Sequence, residues 1–224
     1  MTEGDFLELL RAGHESLGVE FKGPGSRTDK HFLARVARAA LGMANRRDGG
    51  VVVIGVREGE PLDPVGLDGE IASTWANYNV VIEAINKFAE PSLSLSIEKV
   101  SHRGKLFEAL TIHEFDEVPI LCKADRATQD KQVILRAGAC YVRSRHKPGT
   151  SELPSQQEMR SLIELAVCKG VRRFVEPARE AGLIPRVAAV VAPPTSLRDK
   201  IRRRGYWEFI IRDSRGMKTS RKPG

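Results

Sequence analysis

The run Val51-Val52-Val53-Ile54-Gly55-Val56 constrains this chain more than any other segment. A near-continuous series of β-branched residues has no polar side, so as a strand it must be covered by protein on both faces. The chain therefore needs a sheet with helices packed against it, and helical patterns flank the run. Thr28 or Asp29 can cap a helix reaching about Asn45, with Phe32, Val36, Ala40 and Met43 along one stripe and Arg35 and Arg38 on another face. Upstream, residues 5–11 read as a short amphipathic helix ended by Gly13, and Val19-Glu20-Phe21-Lys22 alternates with the period of a half-buried strand. Downstream, the pattern predicts one helix over residues 71–90, stopped by Pro91, and a hairpin formed by 93–100 and 106–113. It then predicts a short strand over 118–123 and a strand or strand pair over 132–143, interrupted at Gly138. The expected fold class is α/β (α+β), a mixed β-sheet with flanking helices, over residues 1–150.

At 224 residues the chain holds one domain, or one domain with an appendage, since domains run to about 100–200 residues. The charge places the appendage at residues 151–224. Residues 155–224 carry 16 Lys and Arg against 7 Asp and Glu, whereas residues 1–154 carry 20 against 22. A polyanion would be gripped by the basic part, with a merely solvated tail as the plain alternative. This appendage reads as α+β. Ser155-Gln156-Gln157-Glu158 has the form of a capping box, and Met159, Leu162, Ile163, Ala166 and Val167 follow at helical spacing. A short basic helix is expected over 195–204 and a strand over 206–212. The three cysteines, Cys122, Cys140 and Cys168, form no CxxC pair, so reduced thiols in a cytoplasmic protein are expected. No apolar stretch approaches the roughly 18 residues of a membrane span, and the acidic start lacks the form of a secretory signal.

Three acids have positions suited to chemistry. Period two puts Glu20 and Lys22 on one face of their strand, where the carboxylate can hold a divalent cation and the ammonium can stabilise a developing oxyanion. A solvent-facing ion pair is the plain alternative. Glu58 stands just beyond the central strand, where open α/β sheets place ligands. Glu15 lies five residues before Glu20, and the two converge only if the chain bends between them, as Gly18 permits. Phosphate-loop, dinucleotide-binding, HExxH and GxSxG patterns are all missing, so nothing points to ATP or NAD.

Three segments taken together resemble the Schlafen-type Alba-like domain. They are Glu15-Ser16-Leu17-Gly18-Val19-Glu20-Phe21-Lys22, then Ala44-Asn45 through Gly49-Gly50 and Ile54-Gly55-Val56-Arg57-Glu58, then Cys140-Tyr141-Val142-Arg143. The resemblance covers about residues 10–150. The chain departs from the family pattern with Arg46-Arg47-Asp48 before the paired glycines, Ser144-Arg145-His146-Lys147 after the arginine, and Glu58 where Asp is more usual. The resemblance implies a metal-dependent endoribonuclease acting on structured RNA such as tRNA, with a place in phage defence. In that reading Glu15, Glu20 and Glu58 hold Mg or Mn and Lys22 assists. Arg35, Arg38, Arg143, Arg145, Lys147, Arg202, Arg203 and Arg204 would contact nucleic-acid phosphates. A catalytically silent nucleic-acid-binding domain is the alternative, with ATP binding a more distant one. Because each motif occurs once, a homodimer is expected to complete the RNA groove, through residues 187–194 or Tyr206-Trp207.

Overall fold

The computed structural model describes residues 1–13, 16–59, 61–144 and 149–183. The chain opens with α1 (Glu3–Ala12), β1 (Val19–Lys22), α2 (Lys30–Ala44) and β2 (Gly50–Ile54). Two short strands, β3 (Val56–Arg57) and β4 (Asp63–Pro64), precede α3 (Gly69–Trp75), α4 (Tyr78–Asn86) and β5 (Ala89–Glu90). The hairpin β6 (Leu95–His102) and β7 (Lys105–Ile112) follows. Short strands β8 (Leu121–Cys122), β9 (Arg126–Ala127), β10 (Val133–Leu135), β11 (Tyr141–Arg143) and β12 (Thr150–Glu152) then lead into the long α5 (Gln156–Glu180).

The main sheet has the order β1-β2-β7-β6, with β1 parallel to β2 and the other pairs antiparallel, so it is mixed, as the sequence leads one to expect. The apolar run is the interior strand β2, and its two faces separate two cores. Val52 and Ile54 join a large cluster with α2, α3, α4 and the start of α5. Val53 joins a smaller one with Val19, Phe21, Phe107, and Phe6 and Leu9 of α1. Burying Phe6 and Leu9 is worth roughly 1.5–3 kcal/mol each, enough to hold a ten-residue helix that could not persist alone. Thr2 caps α1 through a reciprocal box with Asp5, and Gly13 closes it in the left-handed region.

Two expectations are corrected. The single helix over 71–90 is two helices, because Asn77 accepts a hydrogen bond from the Val80 amide and starts α4 afresh after α3 ends at Trp75. The strand over 118–123 shrinks to the two residues of β8. Ser155 does cap α5, which is longer than its capping box alone foretells. The sequence division at 150 falls inside a β-pair: β12 pairs with β11, and Leu162 and Leu165 of α5 sit in the large core. The helix expected over 195–204, the strand over 206–212 and the dimer contacts lie outside the described residues. Among the described residues no helix is long and apolar enough to cross a membrane.

Asn45, at the end of α2, ties this core to its outer strands. Its side-chain amide donates to the carbonyls of Ile120 at 2.7 Å and Tyr141 at 2.9 Å, and its oxygen accepts from the Ile120 amide at 2.7 Å. Asn45→Ala strands three buried backbone groups, so unfolding in urea should show a loss of roughly 2–4 kcal/mol. A loss within 0.5 kcal/mol or so of zero would show that these bonds contribute nothing net.

Candidate functional site

The site is built on β1. Pairing with β2 places Val19 and Phe21 toward α1, which leaves Glu20 and Lys22 on the opposite face, opposite Val52 and Ile54. Glu20 is therefore buried, at 7% exposure. One oxygen, Oε1, meets the Lys22 ammonium at 2.7 Å. The other, Oε2, accepts from Arg143 at 2.5 Å and from the Thr150 hydroxyl at 3.2 Å. Glu58 reaches the same ammonium from a different direction. The Gly55 amide bonds to the Lys22 carbonyl at 2.8 Å, which fastens the end of β2 to the end of β1. Gly55 then turns at φ 108°, where any side chain would be strained and a Cβ would meet Phe107 at 2.9 Å. The chain doubles back, and Glu58 Oε1 comes to 3.2 Å from Lys22 Nζ. Lys22 thus bridges two carboxylates from distant parts of the sequence, one buried and the other with a 59% exposed side chain.

Arg143 has no exposed side-chain surface. Besides Glu20, it donates to the carbonyls of Ser16 at 2.6 Å, Val19 at 3.1 Å and Leu17 at 3.4 Å. It is turned inward, where a phosphate does not reach, so the geometry gives it the role of positioning Glu20 and the turn before β1. Arg35 is exposed on α2, and its guanidinium lies 5.7 Å from the centre of the Phe32 ring. Arg38 is half-buried against Tyr141 at 5.3 Å. Glu15, Arg145, Lys147, Arg202, Arg203 and Arg204 lie outside the described residues.

Thr150 was not singled out by sequence. It reaches Glu20 because β12 passes close over α2 at Gly42, where an added Cβ would sit 2.6 Å from the Thr150 side chain. A glycine inside an otherwise Ala-rich helix is the one sequence signal for that approach. The thiol of Cys140, beside Asn45, is pushed up from its ordinary pKa by burial.

Carboxylate oxygens are hard donors of the type Mg and Mn prefer, and Glu20 and Glu58 already converge on one cation. In that respect the donor set fits such an ion. Two carboxylates are present, and among the described residues no three His, Cys, Asp or Glu side chains gather into a metal-holding group. The chemistry available from this arrangement is cation binding, together with an ammonium placed to face an oxyanion.

A mixed sheet flanked by helices, with a buried acid, a lysine and a second acid at the ends of its parallel strands, defines an α+β domain with an electrostatic site at one sheet edge. The family model described as Schlafen, AlbA_2 matches residues 15–147, and the chain belongs to that family. No curated protein matches the chain. Among solved structures, it is similar to the N-terminal domain of an ATP-dependent DNA helicase RecG-related protein from Nitrosomonas europaea. That likeness has 23% identity and a TM-score of 0.40, and covers 55% of this chain and 82% of the other. It is also similar to the DIP2311 protein from Corynebacterium diphtheriae, at 13% identity and a TM-score of 0.40. That alignment covers 66% of this chain and spans 25% of the length of the other.

Removing the Arg143 guanidinium leaves Glu20 buried beside one lysine and frees three carbonyls. Arg143→Ala should therefore cost about 3–5 kcal/mol in chemical denaturation. Arg143→Lys should recover little of it, because an ammonium cannot span the carboxylate and the carbonyls with a planar fork. Near-wild-type stability of both variants would overturn the positioning role.

Proposed function

We propose that this protein binds structured RNA, such as tRNA, and cleaves a phosphodiester at the Glu20–Lys22–Glu58 cluster with the help of Mg or Mn. The observation that carries the reading is the bridging of two carboxylates by one lysine at the ends of the parallel strands. Family membership supports a nucleic-acid-related role. An ion held by Glu20 and Glu58 together with Glu15 would polarise the phosphate and acidify a bound water. Lys22 faces the negative charge that develops on the non-bridging oxygens. Glu58, more than half exposed and held by Lys22 alone among the described residues, takes the proton of the attacking water. The bond from phosphorus to the leaving oxygen then breaks, and its electron pair stays on that oxygen, which is protonated from solvent. Glu20, fixed by Arg143 and Thr150, holds Lys22 in place. Arg35 and Arg38 on α2, with Arg145, Lys147, Arg202, Arg203 and Arg204, supply phosphate contacts that position the strand by shape.

A second reading has its own observation. Both oxygens of Glu20 are already engaged by Lys22, Arg143 and Thr150, an arrangement that also suits a silent nucleic-acid-binding domain with a structural ion-pair network.

Incubation of the full chain with total tRNA separates the two. Cleavage is expected with Mn or Mg and none with EDTA, and Glu58→Gln should lower the rate at least about a hundredfold while the fold and the affinity persist. Glu20→Gln is a poorer probe because it also unbalances Arg143. Salt-dependent binding without cleavage under any metal would establish the silent reading. Replacing Arg202, Arg203 and Arg204 by Ala should flatten the plot of log affinity against log salt by about one unit per lost phosphate contact. An unchanged slope would take this cluster out of the interface.

A further inference from the structure

α5 meets the rest of the domain along one side. Leu162 and Leu165 enter the large core, and further along Lys169 pairs with Glu114 at 2.9 Å and Arg173 pairs with Glu117. A second set of apolar residues on the same helix, Met159, Ile163, Val167, Val171 and Phe174, stays in solvent, each between 44% and 73% exposed. At about 3.6 residues per turn the five fall within an arc of about 120°, turned roughly 130° from the side that meets the domain. They make a continuous stripe about 22 Å long at a rise of about 1.5 Å per residue. Scattered exposed apolar residues need no explanation, but an aligned stripe of this length marks a contact surface. Gly170 lies inside the stripe and gives a second sign. An added Cβ there would meet nothing within 4 Å, unlike Gly42, whose Cβ would strike Thr150. A glycine inside a helix is destabilising relative to alanine, and nothing among the described residues requires this one. Close passage of another helix over the stripe does.

We propose that the stripe is a homodimer contact, with α5 of one copy lying antiparallel against α5 of a second. The contact does not depend on the nucleic-acid reading above. In that direction the surface is its own complement. Its midpoint falls between Ala166 and Val167. A twofold axis there sets Phe174 of each copy beside the partner's Met159, and Ile163 of each into the notch at the partner's Gly170. Thioether sulfur against an aromatic ring is favourable, and a branched side chain fills the gap that a glycine leaves. Parallel pairing instead sets Gly170 against Gly170 and Phe174 against Phe174, an unfilled gap followed by a crowded end. Antiparallel helices also oppose their dipoles. The composition favours a second copy over a different protein, because homodimer contacts are more apolar than contacts between unlike proteins. Arg160 is the one charge within the arc between Met159 and Phe174, and its long stem can lie on the partner with its head in water. The cations on the domain side of the stripe, Lys169 and Arg173, are already paired within their own chain. Five apolar side chains per copy are fewer than the roughly 20–30 residues of a standard interface, so the dimer should dissociate with a constant on the order of micromolar to tens of micromolar.

The test is sedimentation velocity of the full chain at concentrations from about 1 to about 200 µM, which brackets that range. The mass should move from 24.8 kDa toward twice that value as concentration rises. Ile163→Glu and Val171→Glu each set an unpaired charge in the contact and should weaken association at least about a hundredfold. Both positions are exposed, so circular dichroism should be unchanged. Gly170→Leu fills the notch and should weaken association at least about tenfold. Direction is read by disulfide formation in a Cys168→Ser background, since Cys168 is the exposed cysteine of the three. Chains carrying Met159→Cys and chains carrying Phe174→Cys should cross-link to each other faster than either does to itself. A mass of 24.8 kDa at every concentration would overturn the proposal and leave the stripe to residues 184–224 or to another protein. A dimer that survives both glutamate variants would also overturn it, and would return the contact to residues 187–194 or Tyr206-Trp207. Faster cross-linking of each chain to itself would overturn the antiparallel arrangement.

Discussion

The ion pair between Glu20 and Arg143 holds together parts of the chain that no local interaction could join. It links β1 to β11 across a sequence separation of 123, and both partners are buried. Burying two charges costs several kcal/mol each unless every donor and acceptor is met. Here they are met: Arg143 also satisfies the carbonyls of Ser16, Leu17 and Val19, and Glu20 also takes Lys22 and Thr150. The turn before β1, the strand itself, β11 and β12 are therefore fixed by one network. Loosening any member leaves a charge without a partner in a medium that screens it poorly.

This network divides the two described acids by physical circumstance. Glu20 cannot move without breaking bonds on two sides. Among the described residues Glu58 is tied by one lysine, and its side chain is mostly in water, where an ion pair is worth little. An incoming cation therefore displaces Lys22 from Glu58 at small cost and from Glu20 at large cost, and an incoming phosphate displaces Glu58 from Lys22 at small cost. Adaptability at this edge of the sheet resides in Glu58 and the lysine between the two acids.

Much of this was legible in sequence, and the failures have identifiable causes. The interior strand, the capped helix α2 and the hairpin could be read because each has a strong period or a defined turn. The Glu20–Lys22 face followed from strand alternation, and the grouping of Glu58 with Glu20 was implied by the family resemblance rather than by local pattern. The break between α3 and α4 was missed because Asn77 acts as a cap only when its side chain turns back on the Val80 amide, and apolar residues continue on both sides of it. Arg143 read as a surface phosphate contact because nothing local distinguishes an arginine aimed at solvent from one aimed at a carboxylate 123 residues away. Glu108 gave no signal at all. In Lys105–Ile112 it is one charged residue in a strand, and only the pairing with β2 and β6 shows that it points into the core.

The two faces of the sheet differ in kind. Against α1, the residues Val19, Phe21, Val53, Phe107 and Ala109 form an apolar seal with no buried charge among them. The opposite face carries Lys22, Ile54, Glu108 and Lys99 in one cross-strand row. Lys22 and Ile54 are the last residues of β1 and β2, so this row lies at the carboxyl ends of the parallel pair. Open sheets place ligands there because the chain leaves each strand to form loops and the helices diverge, which exposes side chains without opening the core. Polar groups in a sheet interior are tolerated only where water, a partner or a ligand can reach them. Lys22 meets that condition through Glu20 and Glu58, whereas Glu108 is buried with one oxygen unpartnered. Ile54 between Lys22 and Glu108 is fully buried, so the core is closed between the two polar groups and only Lys22 stands where the loops leave the sheet.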